Sequence, residues 1–279
     1  MQLRIVHVTG FEYGGLVSAS YNEARMTPQN DASQSVLHSR VDVQPHPWAQ
    51  TYRDYWGTMV TAFEVLDPHR ELTVTATSTV RTHETSPRRT SDSWEELRDP
   101  RVTDDLAEFL VADDRVRPPA DLAERVHRLA ADSGTPAEVA REVCRTIHDE
   151  VEYRRGATDV HARAATAWQQ RSGVCQDFAH LATGALRSAG IPSRYVSGYL
   201  LPRHDPVVGE ETHGESHAWV EWWDQGWHAF DPTNDQPPGE RHVSVATGRD
   251  YGDVRPLSGV YTGAGTSRMF VEVTVTRQA

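Results

Sequence analysis

Apolar and polar residues alternate along the first part of the chain with the period of two that is typical of β-strands. In about the first 80 residues, such runs are separated by clusters of Gly, Pro, Asn and Asp, which predicts strands joined by turns. The runs are LRIVHVTGFEY, SVLHSRVDVQ, GTMVTAFEVL and ELTVTATSTV. Residues 83–101 are polar and contain Pro and Ser, which indicates a boundary after this strand region.

Beyond this boundary the apolar period lengthens to that of a helix. Apolar residues recur every four positions in PAEVAREVCRTIHDEVEY, which predicts a helix that begins near Thr135 and Pro136. The apolar stripe of this helix consists of Val139, Val143, Ile147 and Val151. Cys144 lies beside the stripe, so we expect it to be a small buried residue of the core.

A second helix is marked at both ends by residues that start and stop helices. In RSGVCQDFAHLATGALRSAGIP, Ser172 or Gly173 is predicted to cap the first turn, and Gly190 with Pro192 is predicted to end the helix. Cys175 therefore lies in the first turn. Three strands are predicted to follow in SRYVSGYLL, SHAWVEWW and GWHAFDP, and the alternating tail MFVEVTVTR predicts a closing strand.

The order of strands, helices and strands predicts an α+β fold, because it lacks the repeated β-α-β units of a parallel sheet. We expect two domains. Residues 1–90 are predicted to form a β-rich N-terminal domain, and residues 91–279 a core of helices and strands that includes the closing C-terminal strand.

The charge of the chain narrows the range of partners. Its 28 basic and 40 acidic residues give a formal net charge of −12 at pH 7, which argues against a nucleic-acid partner. All the basic residues are Arg, and the sequence contains no lysine. No apolar run has the length of a membrane span, and the opening MQLRIVHVTG lacks the apolar segment of a signal peptide. We therefore expect a cytoplasmic protein without a membrane partner.

Cys175 has a physical reason to be reactive. The unpaired N–H groups and the positive dipole end of a helix N-terminus favour a thiolate, and the Cys175 N–H is placed to bind an oxyanion. The alternative is an inert cysteine, because position at a helix N-terminus alone does not establish catalysis. Cys144 and Cys175 are too few for a disulfide framework and lack the C-x-x-C spacing of a zinc site.

The strands after Cys175 contain a candidate base and a candidate carboxylate. An antiparallel hairpin with His217 opposite Asp231 centres its turn on residue 224 and places residues 223–225 in the loop. Directly opposed side chains lie about 5 Å apart, close enough for a carboxylate to orient an imidazole. Cys175, His217 and Asp231 would then act as nucleophile, base and orienting acid. Alternatively, His217 is a core histidine and Asp231 only opens the turn DPTND.

Four segments resemble the motifs of bacterial transglutaminase-like proteins. They are GVCQDFAHL (residues 173–181), GIPSRYVSGYL (190–200), ESHAWVEWW (215–223) and GWHAFDPTN (226–234). DYWGTMVTAFEV also resembles the β-rich N-terminal domain of that group. The resemblance implies that Cys175, His217 and Asp231 occupy the catalytic triad positions. It also implies a papain-like core, in which the nucleophile helix packs on an antiparallel sheet, and a β-sandwich-like N-terminal domain.

The resemblance leaves the reaction open. The superfamily includes peptidases, other amide hydrolases and protein cross-linking transglutaminases, all of which form an acyl-thioester. Hydrolysis of a peptide or amide is favoured because it needs no second specific substrate site, and transamidation is the alternative. A third possibility is a non-catalytic module that binds a peptide. The expected partner is therefore a peptide or a protein.

No cofactor or metal is expected from the sequence. The chain is too short for the additional C-terminal β-domains of calcium-dependent animal transglutaminases, and it contains no EF-hand loop. A zinc site formed by Cys175 with His204, His213 and His217 is the alternative. It is disfavoured because a spacing of four residues in a strand does not align ligands as it does in a helix.

Overall fold

The N-terminal part of the chain consists of antiparallel strands. The computed structural model describes residues 1–84, 90, 93–132, 134–203 and 205–279. The N-terminal strands are β1 (Gln2–Ala24), β2 (Gln34–Gln44), β3 (Trp48–Arg53), β4 (Met59–Val65) and β5 (His69–Thr82). β3 is absent from the predicted runs, because all its residues are exposed and the strand has no buried apolar face.

Helices and further strands make up the rest of the chain. The helices are α1 (Trp94–Leu97), α2 (Pro100–Asp105), α3 (Ala120–Asp132), α4 (Pro136–Glu150), α5 (Ala164–Gln170) and α6 (Cys175–Ser188). The strands are β6 (Glu152–Tyr153), β7 (Ser172–Gly173), β8 (Ser193–Leu200), β9 (Glu211–Trp223), β10 (Trp227–Phe230), β11 (His242–Gly248), β12 (Leu257–Gly263) and β13 (Ser267–Arg277). In the described part of the chain, no helix combines the length and the apolar character that crossing a membrane requires.

α4 begins where the sequence predicts. The Thr135 hydroxyl accepts the Glu138 N–H, and the Glu138 carboxylate accepts the Thr135 N–H, so the first turn is capped from both directions. The residues of the predicted apolar stripe are all buried. Cys144 is fully buried beside them, as predicted.

α6 ends where the sequence predicts but begins later. Gly190, with a φ of 79°, follows its last turn. The predicted cap at Ser172 or Gly173 is wrong, because these residues form β7, which pairs with β6, and Val174 is the N-cap. Val174 has no side-chain oxygen. The Asp177 carboxylate compensates by accepting the Val174 N–H at 2.8 Å.

One 11-stranded sheet joins the two parts of the chain. Its order is β11, β8, β9, β13, β1, β4 and β3, with β10 on β9, β12 and β5 on β1, and β2 on β5. The N-terminal half of β1 pairs with β5 and β13, and its C-terminal half pairs with β4 and β12. Gly14 and Gly15 lie between the halves, and a Cβ at Gly15 would lie 2.2 Å from the Ala264 carbonyl oxygen. Only glycine therefore fits this crossing.

The β9–β10 hairpin has the predicted turn region but a different register. Trp223 pairs with Trp227, and their rings pack edge to face with centroids 5.5 Å apart. Residues 224–226 therefore form the loop, and the predicted pairing of His217 with Asp231 is wrong by two residues. The aromatic contact favours the observed register. A shift of two positions keeps both side chains on the same face of the hairpin.

One apolar cluster lies between the helices and the sheet, and another lies among the N-terminal strands. One cluster joins α3, α4, α5 and α6 to β9, and includes Leu122, Ile147, Trp168, Phe178, Leu181, Val220 and Trp222. Another lies among the N-terminal strands, and includes Val17, Phe63, Val65, Leu72 and Val74. The predicted α+β class is confirmed, with the helix that begins at Cys175 packed on an antiparallel sheet next to a β-rich N-terminal part.

The predicted domain boundary between residues 90 and 91 stays a prediction. Residues 85–89, 91 and 92, around that boundary, lie outside the described residues. The C-terminal strands β12 and β13, which the prediction places in the second domain, both pair with β1 of the first. The closing strand β13 therefore pairs both with β1 of the first predicted domain and with β9 of the second.

Candidate active site

Cys175 is the first residue of α6 and is partly exposed. The Val174 carbonyl accepts the N–H groups of Asp177 and Phe178, at 2.8 and 3.2 Å. Within the described part of the chain, the N–H groups of Cys175 and Gln176 have no acceptor, as is usual for the first turn of a helix. A helix N-terminus of this kind stabilises a nearby negative charge, so it favours a thiolate or an oxyanion at this position.

Asp177 fixes the start of this helix. Its side chain is buried, and its Oδ2 accepts the Val174 N–H and the Thr158 hydroxyl. Burial raises the pKa of Asp177, and the two hydrogen bonds oppose that rise. Gly173 leaves space for the carboxylate, because a Cβ there would lie 2.8 Å from the Asp177 Cβ. Gly173 and Asp177 together therefore position Cys175.

His217 reaches Cys175 from β9, the strand on which α6 packs. The Cys175 Sγ lies 3.8 Å from the carbonyl oxygen of Ser216, the residue before His217, and the thiol is close enough to the imidazole to help raise the pKa of His217. The His217 Nε2 lies 2.7 Å from the Asp231 Oδ2. The Nδ1 atom is therefore the ring nitrogen left for Cys175.

The pKa of His217 is raised to about 10. Burial alone would lower it, but hydrogen bonds to Asp231 and Cys175, and the negative charges of these groups, stabilise the imidazolium. The site therefore favours a charged imidazole beside the sulfur. A thiolate next to an imidazolium is the form in which cysteine nucleophiles attack.

Asp231 is completely buried and accepts hydrogen bonds on both oxygens. Its Oδ1 accepts the N–H groups of Thr233 and Asn234, at 3.0 and 3.3 Å. Its Oδ2 accepts from His217 and from the Asn234 side chain, each at 2.7 Å. Burial would raise the pKa of Asp231, but hydrogen bonds from His217, His242 and the Asn234 side chain, with the charge of His217, hold it well below its usual range. Asp231 therefore opens the turn, as the alternative interpretation of the sequence proposed, but its carboxylate also contacts His217.

His242 is a further contact of Asp231 that the sequence reasoning missed. Its Nε2 lies 3.2 Å from the Asp231 Oδ2, and its side chain is 3% exposed. Asn234 was also missed, although the D-x-x-N pattern of the turn could have indicated it, since side chains in such turns bond to neighbouring residues. No local pattern marks His242, because it opens β11, beyond the turn that follows Asp231.

The structure brings Cys175, His217 and Asp231 together, and their catalytic roles stay predictions. Of the residues in the zinc alternative, His213 is exposed, about 13 Å along the strand from His217, and His204 lies outside the described residues. The predicted zinc cluster is therefore not assembled by the part of the chain that is described.

A different trio has the residue types of metal ligands. Ligand atoms of His217, Asp231 and His242 lie within 4.8 Å of one another. Both Nε2 atoms, however, are directed at the same Asp231 oxygen. The His242 Nδ1 accepts the Gly239 N–H, which places the proton of the neutral ring on Nε2. A nitrogen that carries a hydrogen has no lone pair for a metal, so the geometry fits a hydrogen-bonded network.

Comparison with known proteins assigns the chain to a family. Residues 3–81 match the bacterial transglutaminase-like N-terminal region, and residues 122–232 match the transglutaminase-like superfamily. An uncharacterized protein of Mycobacterium leprae is 43% identical over 278 residues, which cover 100% of this chain and 99% of that protein. A protein-glutamine gamma-glutamyltransferase of Pseudomonas aeruginosa is 40% identical over 74 residues, which cover 24% of this chain and 11% of that protein.

The fold has a counterpart among solved structures. The crystal structure of a candidate cysteine protease from Cytophaga hutchinsonii matches with a TM-score of 0.76 and 23% identity, and covers 98% of this chain and 90% of that protein. At this identity the likeness concerns the fold alone. Sequence matches along the whole chain carry the conclusion: the chain belongs to the bacterial transglutaminase-like proteins, within a superfamily of thiol enzymes.

Proposed function

We propose that the protein is a cysteine hydrolase of amide or peptide bonds. Cys175 is the nucleophile, His217 is the general base and acid, and Asp231 orients His217. The observation that carries the proposal is the series of contacts from the Cys175 thiol through His217 to Asp231, with 2.7 Å between the Nε2 and Oδ2 atoms. Each side chain is of the type that its role requires.

The first step forms an acyl-thioester. The Cys175 thiolate attacks the carbonyl carbon of the substrate, and the C–N bond breaks as the His217 imidazolium gives its proton to the leaving amine. The Cys175 N–H at the start of α6 supplies a hydrogen bond to the oxyanion. Asp231 keeps the ring oriented with Nδ1 toward the sulfur.

The second step transfers the acyl group to water or to an amine. His217, now neutral, takes a proton from the acceptor as the acceptor attacks the thioester carbon, and the Cys175 thiolate leaves beside the imidazolium. Hydrolysis is favoured because it needs no second specific substrate site. Transamidation is the alternative, supported by the local similarity to the Pseudomonas aeruginosa gamma-glutamyltransferase.

A partition experiment separates the two reactions. The protein is incubated with glutamine-containing peptides and an excess of a fluorescent primary amine, and the free acid and amide products are quantified by mass spectrometry. We expect the free acid to predominate. Both products should disappear in Cys175→Ala and persist in Cys144→Ala, the matched control at the buried cysteine. Predominant amine incorporation that depends on Cys175 would make the protein a transamidase.

The absence of lysine makes this experiment easier to interpret. The protein has no lysine side chain to which it could cross-link itself, so incorporated label reports the added amine. A folded protein that forms neither product would favour the third alternative, a non-catalytic module that binds peptides. The expected peptide or protein substrate and the expected cytoplasmic location stay predictions.

A further inference from the structure

We propose that His242 is a positioning residue of this site. It donates a hydrogen bond to Asp231 and thereby holds the carboxylate that orients His217. This inference rests on the proposed function of Cys175, His217 and Asp231, and it adds a residue that acts through Asp231 rather than on the substrate.

His242 reaches Asp231 from a different element than the other donors. Thr233 and Asn234 belong to the same turn as Asp231, and His217 comes from β9. His242 opens β11, which pairs with β8 and not with β9. Its contact therefore ties the carboxylate to a separate strand of the sheet, so that Asp231 is held from two directions.

The proton of His242 has a defined position. The Gly239 N–H donates to the His242 Nδ1 at 3.1 Å, so the Nδ1 atom must present a lone pair. The proton of the neutral ring then lies on Nε2, 3.2 Å from the Asp231 Oδ2. The ring packs edge to face with Trp219, with centroids 5.6 Å apart, which limits its rotation. His242 is therefore preorganised as a donor to Asp231.

The charges around His242 favour its neutral form. Burial lowers the pKa of His242, the hydrogen bond and charge of Asp231 oppose this effect, and the positive charges of His217 and Arg241 lower the pKa further. Asp231 lies in the turn after β10, His217 lies on β9, and Arg241 is the residue directly before β11. Asp231 thus lies between one histidine that favours its charged form and one that favours its neutral form.

Sharing the carboxylate has a measurable consequence for His217. The hydrogen bond from His242 withdraws part of the negative charge that stabilises the His217 imidazolium. Removal of this donor should therefore raise the pKa of His217. A general loosening of the site would instead lower it toward the ordinary histidine value of about 6.5. The direction of the change separates a positioning role from a packing role.

Two substitutions distinguish the nitrogens of His242. The side-chain amide of His242→Gln reaches about as far as Nε2 and can keep the donor to Asp231. The shorter amide of His242→Asn reaches only as far as Nδ1 and removes that donor. His7→Asn is the matched control, because His7 is a buried histidine on β1 that contacts Tyr199.

Nitrogen NMR of histidine-labelled protein measures both the protonation of each ring and its titration, with the His217 signal identified by its loss in His217→Gln. We expect the wild-type His242 to carry its proton on Nε2 at neutral pH. The His217 midpoint should rise by about half a pH unit in His242→Asn and return to the wild-type value in His242→Gln. It should not move in His7→Asn.

Two results would overturn the proposal. One is an unchanged or lowered His217 midpoint in folded His242→Asn. The other is a proton on the His242 Nδ1 atom in the wild-type protein, a measurement that needs no variant to fold. Failure of the proposed function looks different: the folded wild-type protein would then form neither the free acid nor the amide in the partition experiment, whatever the His217 midpoint. If products form and His242→Asn leaves the His217 midpoint unchanged, only the role of His242 is wrong.

Discussion

Two buried histidines on strands of the same sheet have opposite protonation behaviour. His217 on β9 and His7 on β1 are 8% and 1% exposed. Burial lowers the pKa of His7 to about 4. Burial acts in the same direction on His217, yet contacts with Asp231 and Cys175 raise its pKa to about 10. The same side chain is therefore neutral in one region and favours the charged form in the other.

The neighbours of each histidine explain the difference. His7 pairs with Ala76 on β5 and Val273 on β13, its Nδ1 lies 2.9 Å from the Tyr199 hydroxyl, and its Nε2 has no partner within the described residues. His217 has a carboxylate in contact, because the chain turns back through β10 and ends that strand next to Asp231. Burial thus sets the neutral state as the default, and an acidic partner reverses it.

Replacing the carboxylate of Asp231 should remove most of the difference between the two regions. Asp231→Asn keeps the size of the side chain but loses its charge, and it can hold the His217 ring in the wrong tautomer. We expect kcat for an accepted amide substrate to fall by about 10³- to 10⁴-fold, and the pKa of His217 to fall from about 10.

The matched control is Asp235→Asn in the same turn. Asp235 has a φ of 47°, a conformation that asparagine tolerates, and its carboxylate lies 3.9 Å from Arg145. Turnover of Asp231→Asn within tenfold of the wild type would show that Asp231 is only a turn residue.

His7 should make the protein sensitive to acid. Its pKa is about 4 in the folded protein and about 6.5 in the unfolded chain, so between these values unfolding takes up a proton. The stabilisation is complete above pH 6.5 and decreases as the pH falls to 4. We expect this residue to account for a loss of about 3 kcal/mol in the free energy of unfolding over that range.

Urea unfolding at several pH values measures this effect. His7→Phe should reduce the loss in the free energy of unfolding on acidification. The buried His180, whose pKa is lowered to about 3, should still contribute its own loss. Substitution of the exposed His38 by Phe is the control. Equal pH dependence in the wild type and in His7→Phe would contradict the assignment.

The reactivity of Cys175 should depend on His217 and not on His7. His217→Phe removes the positively charged imidazole beside the Cys175 sulfur, so it should slow alkylation by iodoacetamide by up to about 30-fold. His7→Phe should leave the rate unchanged. Cys144 serves as an internal reference, because it is fully buried and burial raises its pKa. Equal rates at both cysteines of the folded wild type would argue against Cys175 as the nucleophile.

The smallest expected effect comes from the Tyr199 hydroxyl, the partner of His7. Tyr199→Phe removes the hydroxyl that lies 2.9 Å from the His7 Nδ1, and so leaves a buried polar atom without its partner. We expect a cost of about 1 kcal/mol in the free energy of unfolding, with no change in the alkylation rate of Cys175. Tyr21→Phe at an exposed position is the control. An altered alkylation rate would show that the two regions are coupled.

The local patterns were sufficient to predict two of the six described α-helices, α4 and α6, and most of the strands. The stripe and the Thr135 cap indicate α4, and Gly190 marks the end of α6. The cap of α6 could not be found from a list of capping residues, because Asp177 acts from inside the helix while Val174 occupies the cap. β3 has no apolar face, so periodicity does not reveal it.

Cys175 was predicted from its place at a helix N-terminus and from the motif resemblance, and the proximity of the other site residues was predictable only where the chain itself brings them together. His217 and Asp231 lie on one hairpin, so turn composition indicated their proximity even though the register was wrong by two positions. His242 depends on the pairing of β11 with β8, and the place of β13 depends on pairing with β1 and β9. Such long-range pairings leave no periodic signal in a single sequence.

The position of β13 also has a consequence for how the protein is made. Among the described strands it is synthesised last, yet it lies between β1, which is synthesised first, and β9, which carries His217. Contacts of such sequence separation form slowly. A growing chain on the ribosome therefore has two strand edges that await the same neighbour, and open edges of this kind pair readily with other chains. Protection against aggregation during translation thus depends on the pairing of β13 with β1 and β9.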